Sequence, residues 1–129
     1  MSGGVGGILG ISLAPSVNID RIQFQPPPVV ITKSTLLFQN YPNPFNPETW
    51  MPYELHEGAY IMLTIYDVTG TLVRSIQVGY QPEGIHVSRD KAIYWDGRSM
   101  SGEYVGSGVY FYRFQAGRFT ATRKMIVLK

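Results

Sequence analysis

The sequence contains no cysteine. Disulfide bonds and thiolate metal sites are therefore excluded, and the fold has to be held together by an apolar core. A chain of 129 residues is long enough to bury such a core in one domain without metal ions or crosslinks. An extracellular destination stays open, because a domain of this size does not need disulfides there.

Charge and histidine are also scarce. The formal net charge is +2, and no cluster of Lys and Arg indicates a nucleic-acid partner. Only His56 and His86 could act as general bases near neutral pH, and neither lies in a motif with a nucleophile or at zinc-ligand spacing. Ser107 lacks the Gly-x-Ser-x-Gly context of a serine nucleophile. We therefore expect no enzyme activity, no cofactor and no small-molecule substrate.

The chain divides near residue 33. Residues 1–19 carry no charge and are rich in glycine. A secretory signal would need a positive region before the apolar run, but the first basic residue is Arg21. The glycine spacing also fits paired membrane helices, yet the apolar stretch is short and interrupted. We favour a flexible Gly/Pro-rich arm or linker over residues 1–33, followed by a folded domain over residues 34–129.

From residue 35 onward the pattern alternates between strands and turns. Ile61, Leu63 and Ile65 recur with a period of two, as in a strand with one buried face. Pro52 favours an edge position for its strand. Strands are expected at residues 36–39, 50–55, 60–66, 72–78, 86–88, 92–95, 109–116 and 119–128. With no helical period in the sequence, this pattern predicts an all-β fold, a small antiparallel immunoglobulin-like β-sandwich of about seven strands without a disulfide.

Two Asp–Gly turns join predicted strands. Asp67 with Gly70, and Asp96 with Gly97, have the residue types that fix tight turns, since Asp accepts backbone hydrogen bonds and Gly adopts a positive φ. Trp95, just before the second turn, is expected in the core. Calcium binding by either aspartate is an alternative, but the sequence has no Asp/Asn-rich ligand run.

Three prolines fall within six residues, at positions 42, 44 and 47. Each removes a backbone donor and restricts the residue before it, so this segment cannot form a helix or a central strand. We expect a rigid structural corner built around Pro42, Asn43 and Pro44.

Four blocks of the sequence resemble the C-terminal sorting domain of type IX secretion cargo. They are Asn-Tyr-Pro-Asn-Pro-Phe-Asn-Pro at 40–47, Ile-Tyr-Asp-Val-Thr-Gly at 65–70, Tyr-Trp-Asp-Gly at 94–97, and Ser-Gly-Val-Tyr-Phe-Tyr at 107–112 with the later Arg-Lys-Met at 123–125. The fourth block includes Gly108. The middle and late blocks are also similar to the immunoglobulin-like domain of flagellar hook-capping proteins. The proline block and the basic last strand favour the sorting domain.

The resemblance implies a folded address label. In that family the domain is recognised by the outer-membrane secretion translocon, and is then removed by a surface sortase or retained, so that the cargo reaches the cell surface or medium through the periplasm. Residues 29–34 are the candidate cleavable linker. Arg123, Lys124 and Lys129 in the terminal strand are the candidate recognition residues, with solvated surface as the alternative.

A structural role is the second hypothesis. The domain would then be a module of an extracellular or hook-cap-like assembly, or a filament subunit whose Gly-rich arm inserts into a neighbour.

Overall fold

The computed structural model describes residues 34–129, so the expectations for the arm and the linker lie outside the described residues except for Ser34. This part of the chain contains no helix that is long and apolar enough to cross a membrane. Its strands are β1 (Leu36–Leu37), β2 (Thr49–Met51), β3 (Tyr53–Leu55), β4 (Ala59–Asp67), β5 (Leu72–Gln81), β6 (Gly84–His86), β7 (Ile93–Trp95), β8 (Gly108–Ala116) and β9 (Phe119–Val127).

The strands form three sheets with antiparallel neighbours. The largest has the order β5-β4-β8-β9, a second has the order β1-β3-β6, and β2 pairs with β7. The predicted fold class, a small all-β immunoglobulin-like sandwich without a disulfide, is confirmed. The described residues form nine strands rather than about seven, because several short strands add to the four long ones.

The core is built from the inward faces of the strands. Ile61, Leu63 and Ile65 of β4 are at most 2% exposed, so the predicted alternation in this strand is confirmed. Burial of each such side chain contributes about 1.5–3 kcal/mol to folding. From β8, Tyr112 and Phe114 join them on the same side of the sheet.

The predicted strand at 50–55 is wrong in one respect. Pro52 divides it into β2, which pairs with β7, and β3, which lies between β1 and β6. Proline has no N–H and cannot donate to a ladder, so the chain leaves one sheet at Pro52 and enters another. The carbonyl of Pro52 still accepts a hydrogen bond from the Phe38 N–H at 3.0 Å. Pro52 therefore marks a change of sheet, where an edge strand was expected.

The two ends of the described chain lie at opposite ends of the sandwich. Thr35 lines a groove together with Gly117 and Arg118, the turn between β8 and β9. At the far end of β9, the N–H of Lys129 donates to Ser107 Oγ at 2.9 Å. The nine residues of β9 span about 30 Å, so the chain before Ser34 joins the domain about that far from Lys129.

Two buried tyrosines make stability sensitive to alkali. Burial raises the pKa of Tyr53 to about 12 and that of Tyr112 to about 12. A tyrosine in the unfolded chain ionises near pH ~10, so folding favours the neutral form and its contribution is complete below that pH. We expect the free energy of unfolding to fall as pH rises from about 10 to about 12. Urea titrations across this range will measure it, and a flat profile would contradict the expectation.

Candidate functional site: the proline corner and the terminal strand

The proline corner, residues 40–47, lies along the outer edge of β9. Asn43 Oδ1 accepts a hydrogen bond from the Ile126 N–H at 2.9 Å. The Phe45 N–H donates to the Ile126 carbonyl at 3.0 Å, and the Phe45 carbonyl accepts from the Leu128 N–H at 3.1 Å. The proline corner therefore lies beside the residues that follow the Arg-Lys-Met motif, and it covers the edge of the chain from Ile126 to Leu128.

The corner also packs against the Trp-Asp-Gly block. The ring of Phe45 meets that of Trp95 edge-on, with centroids 5.6 Å apart, and both side chains are almost fully buried. Gly97 has a φ of +83°, and a Cβ there would lie 2.2 Å from the Pro47 carbonyl oxygen. Only glycine meets both requirements at this position.

A buried polar network holds the corner to the core. Asn40 Nδ2 donates to Thr49 Oγ1 at 3.0 Å and to the Pro42 carbonyl at 3.1 Å, and Thr49 Oγ1 donates to the same carbonyl at 3.0 Å. The hydroxyl of Tyr112 accepts from the Asn40 N–H and donates to the Phe38 carbonyl, each at 2.9 Å. These donors and acceptors are taken out of water together, so the network fixes one position of the corner.

The roles of Asn40, Thr49 and Tyr112 are not among the expectations from the sequence. Asn40 and Thr49 flank the prolines, and a polar residue on each side of the proline block is the signal that the sequence offers. Nothing local in the sequence assigns the Tyr112 hydroxyl to Asn40, because the two residues are 72 positions apart.

The two turn aspartates accept hydrogen bonds from their own turns. Asp67 Oδ1 accepts from the Thr69 hydroxyl at 2.7 Å and from the N–H groups of Thr69 and Thr71 at 2.9 and 3.0 Å. The Thr69 hydroxyl bond, followed by the backbone bond from Thr71, lowers the pKa of Asp67. Gly70 completes the turn with a φ of +86°.

Asp96 has a similar arrangement. Its Oδ1 accepts from the Arg98 N–H at 3.0 Å and from Arg74 Nη1 at 3.2 Å. Within residues 34–129, no three His, Asp or Glu side chains are grouped so that they could hold a metal ion.

The three basic candidates do not form one patch. All three residues are exposed, but Arg123 and Lys124 are neighbours on β9 and point to opposite faces of the sheet. Arg123 Nε donates to the Leu37 carbonyl at 2.8 Å, so this side chain also ties β9 to β1. Lys129 Nζ lies 5.2 Å from the centre of the Tyr104 ring.

The family blocks nevertheless meet at one end of the sandwich. In the register of the large sheet, Gly108 is opposite Val127 and Asp67 is opposite Tyr110. The Tyr110 ring lies 6.4 Å from that of Trp95. We call this region, formed by the proline corner, the Asp67 and Asp96 turns, Gly108 and the last residues of β9, the motif end.

The motif end is part of a small antiparallel immunoglobulin-like sandwich. Residues 52–118, just over half of the 129 residues, match the FlgD Ig-like domain. This match defines the family within the immunoglobulin-like class of folds. The chain belongs to this family. The result agrees with the similarity of the middle and late blocks to the hook-capping type of domain.

Similar solved structures include three bacterial proteins. Dimeric latent PorU from Porphyromonas gingivalis is 24% identical, with a TM-score of 0.55 over 77% of this chain and 10% of PorU. PorZ from the same organism, described as an essential surface component of the type IX secretion system, is 20% identical, with a TM-score of 0.49 over 70% of this chain and 11% of PorZ. FlgD from P. aeruginosa is 24% identical, with a TM-score of 0.46 over 77% of this chain and 65% of FlgD.

The chain thus spans about a tenth of PorU and PorZ and less than two thirds of FlgD. At this identity, the likeness to PorU shows the fold alone. No curated protein sequence matches the chain.

Proposed function

We propose that this chain carries a C-terminal sorting domain, which directs a cargo protein through the outer membrane to the cell surface or the medium. Its partners are the outer-membrane translocon and a surface sortase. The observation that carries the proposal is the meeting of the family blocks at the motif end. Asn40 of the first block donates its N–H to the Tyr112 hydroxyl of the fourth, 72 positions away, and Phe45 of the first packs against Trp95 of the third. The blocks therefore form one region rather than separate turns.

The position of the motif end suits a label. Cargo would be joined to the chain before Ser34, and Thr35 lies at the other end of the nine-residue strand β9. A separation of about 30 Å leaves the motif end accessible beside a large cargo domain. The buried network around Asn40 keeps this region in one shape, which a receptor can recognise without ordering it first.

A receptor would recognise the terminal strand mainly through its side chains, because the backbone edge of this strand is already covered near the end of the chain. Asn43 and Phe45 already occupy the backbone groups of Ile126 and Leu128. We propose that Lys124 and Lys129 contact the translocon, while Arg123 combines such a contact with its bond to the Leu37 carbonyl.

A structural module of an extracellular or hook-cap-like assembly is the second candidate. Membership of the FlgD Ig-like domain family favours it. Under this hypothesis the motif end is a packing feature of the fold, and attachment of the chain would not export a foreign protein.

A reporter fusion separates the two functions. A passive, periplasm-targeted reporter joined to the N-terminus of the full 129-residue chain is produced in a bacterium with a type IX system. We expect the reporter on the cell surface or in the medium, and in the periplasm when the translocon is deleted. A fusion that is folded but remains periplasmic in the intact strain would contradict the sorting function and favour the structural module.

A further inference from the structure

The outer edge of β9 is only partly covered. The contacts of the proline corner use the N–H and carbonyl of Ile126 and the N–H of Leu128, and Gln39 Nε2 donates to the Lys124 carbonyl at 2.8 Å. These are all even-numbered residues, as expected for an antiparallel strand in which alternate residues direct their backbone groups away from the neighbour. Thr120 and Thr122 therefore direct their N–H and carbonyl groups outward too.

Among the described residues, nothing pairs with this earlier stretch of the edge. Within residues 34–129, the outward N–H and carbonyl groups of Thr120 and Thr122 donate and accept no hydrogen bond, and both residues are exposed. With the N–H of Lys124, the open edge (residues 120–124) offers three donors and two acceptors over about 17 Å. It lies between the turn at Gly117 and the covered part of the strand.

The open edge is positively charged. Arg113 of β8 is directly opposite Thr122, and Lys124 is two residues further along the same face of the sheet. Both side chains are exposed, and neither forms an ion pair within residues 34–129. A lysine on an edge strand discourages pairing with neutral or basic strands, and the same charge attracts an acidic one.

We propose that the open edge of β9 binds an extended acidic segment of a partner protein, which joins the four-stranded sheet as a fifth strand. The alternating donors and acceptors of Thr120 and Thr122 select a polypeptide backbone, and Arg113 and Lys124 select its charge. A second copy of this chain is disfavoured, because it would bring its own Arg113 and Lys124 to the contact. Binding at the open edge depends only on residues of this chain. It would therefore occur whether the domain acts as a sorting label or as a structural module.

The test uses the full isotope-labelled chain and a synthetic peptide of about ten residues in which glutamate and valine alternate. We expect amide NMR shifts confined to Thr120, Thr122, Lys124 and their β8 neighbours, and weaker binding when the salt concentration rises from about 0.05 to about 0.5 M. A peptide with lysine in place of glutamate should not bind.

Two variants separate backbone pairing from charge. Thr122→Pro removes an outward N–H without removing a bond to β8, and this variant should bind the peptide about tenfold more weakly. Thr122→Val is the control, because it keeps the N–H and should bind normally. The double variant Arg113→Glu with Lys124→Glu should abolish binding. It tests the proposal independently if the proline variant fails to fold.

No binding of the acidic peptide, shifts centred elsewhere, or equal binding of the lysine peptide would overturn the proposal. So would preferential binding of a single-stranded oligonucleotide, which presents phosphates but no peptide groups.

Discussion

Replacing Tyr112 by phenylalanine will lower the free energy of unfolding by about 2–4 kcal/mol. The Tyr112 hydroxyl accepts the Asn40 N–H and donates to the Phe38 carbonyl, each at 2.9 Å. Phenylalanine fills the same space but leaves that N–H and that carbonyl without partners. A donor or acceptor left unpaired in the interior costs about 1–3 kcal/mol, and two are affected here. Urea unfolding monitored by tryptophan fluorescence will measure the loss.

Two neighbouring tyrosines provide matched controls. Tyr110→Phe, on the same strand and face, removes only a solvent-exposed bond to the Gly106 carbonyl, and should change stability by about 0.5 kcal/mol or less. Tyr53 is as buried as Tyr112, but its hydroxyl has no hydrogen-bond partner in residues 34–129. Tyr53→Phe should therefore be neutral or stabilising. Equal losses in Tyr53→Phe and Tyr112→Phe would assign the effect to ring packing rather than to the network.

The long strands were predictable because their cause is local. In β4 the apolar residues at 61, 63 and 65 recur with the period of a strand, and the turn residues Asp67 and Gly70 end it. Such signals depend on neighbours along the chain, so they identify element type and approximate bounds.

The short strands were less predictable because their partners are distant. β2 and β3 have three residues each, and which sheet each joins is decided by pairing with β7 and β6, more than 25 residues away. Pro52 indicated an irregularity in the sequence, but its lack of an N–H is equally compatible with an edge strand and with a change of sheet.

The residues of the candidate site were visible in the sequence, but their arrangement was not. The sequence shows the proline block and the basic strand as two separate segments, whereas the bonds of Asn43 and Phe45 to Ile126 follow only from the fold. The opposite faces of Arg123 and Lys124 do follow from strand periodicity. Their different surroundings, with Arg123 bonded to the Leu37 carbonyl, required the tertiary structure.

Replacing Lys124 and Lys129 together by glutamine will block export of the reporter fusion while leaving the domain folded. Both residues are exposed, and ordinary surface substitutions change stability by about 0.5 kcal/mol or less per site. If these ammonium groups form charge-assisted contacts with the translocon, their loss removes the strongest hydrogen bonds of that contact. The measurement is the fraction of reporter outside the cell compared with the fraction trapped in the periplasm. Thermal unfolding of the purified variant will check that it is folded.

The matched control is Lys91→Gln with Arg118→Gln, which removes the same charge from two exposed residues outside the motif end. This variant should be exported normally, so a loss in both pairs would indicate a general charge effect. Arg123→Gln is made separately, because losing the bond to the Leu37 carbonyl should also cost about 0.5–1.5 kcal/mol. Normal export of all three variants would exclude the basic residues as the recognition element and direct attention to Pro42, Asn43 and Pro44. Asn43→Ala would then be the next variant, because it removes the Asn43 bond to Ile126 while the Phe45 backbone bonds remain available.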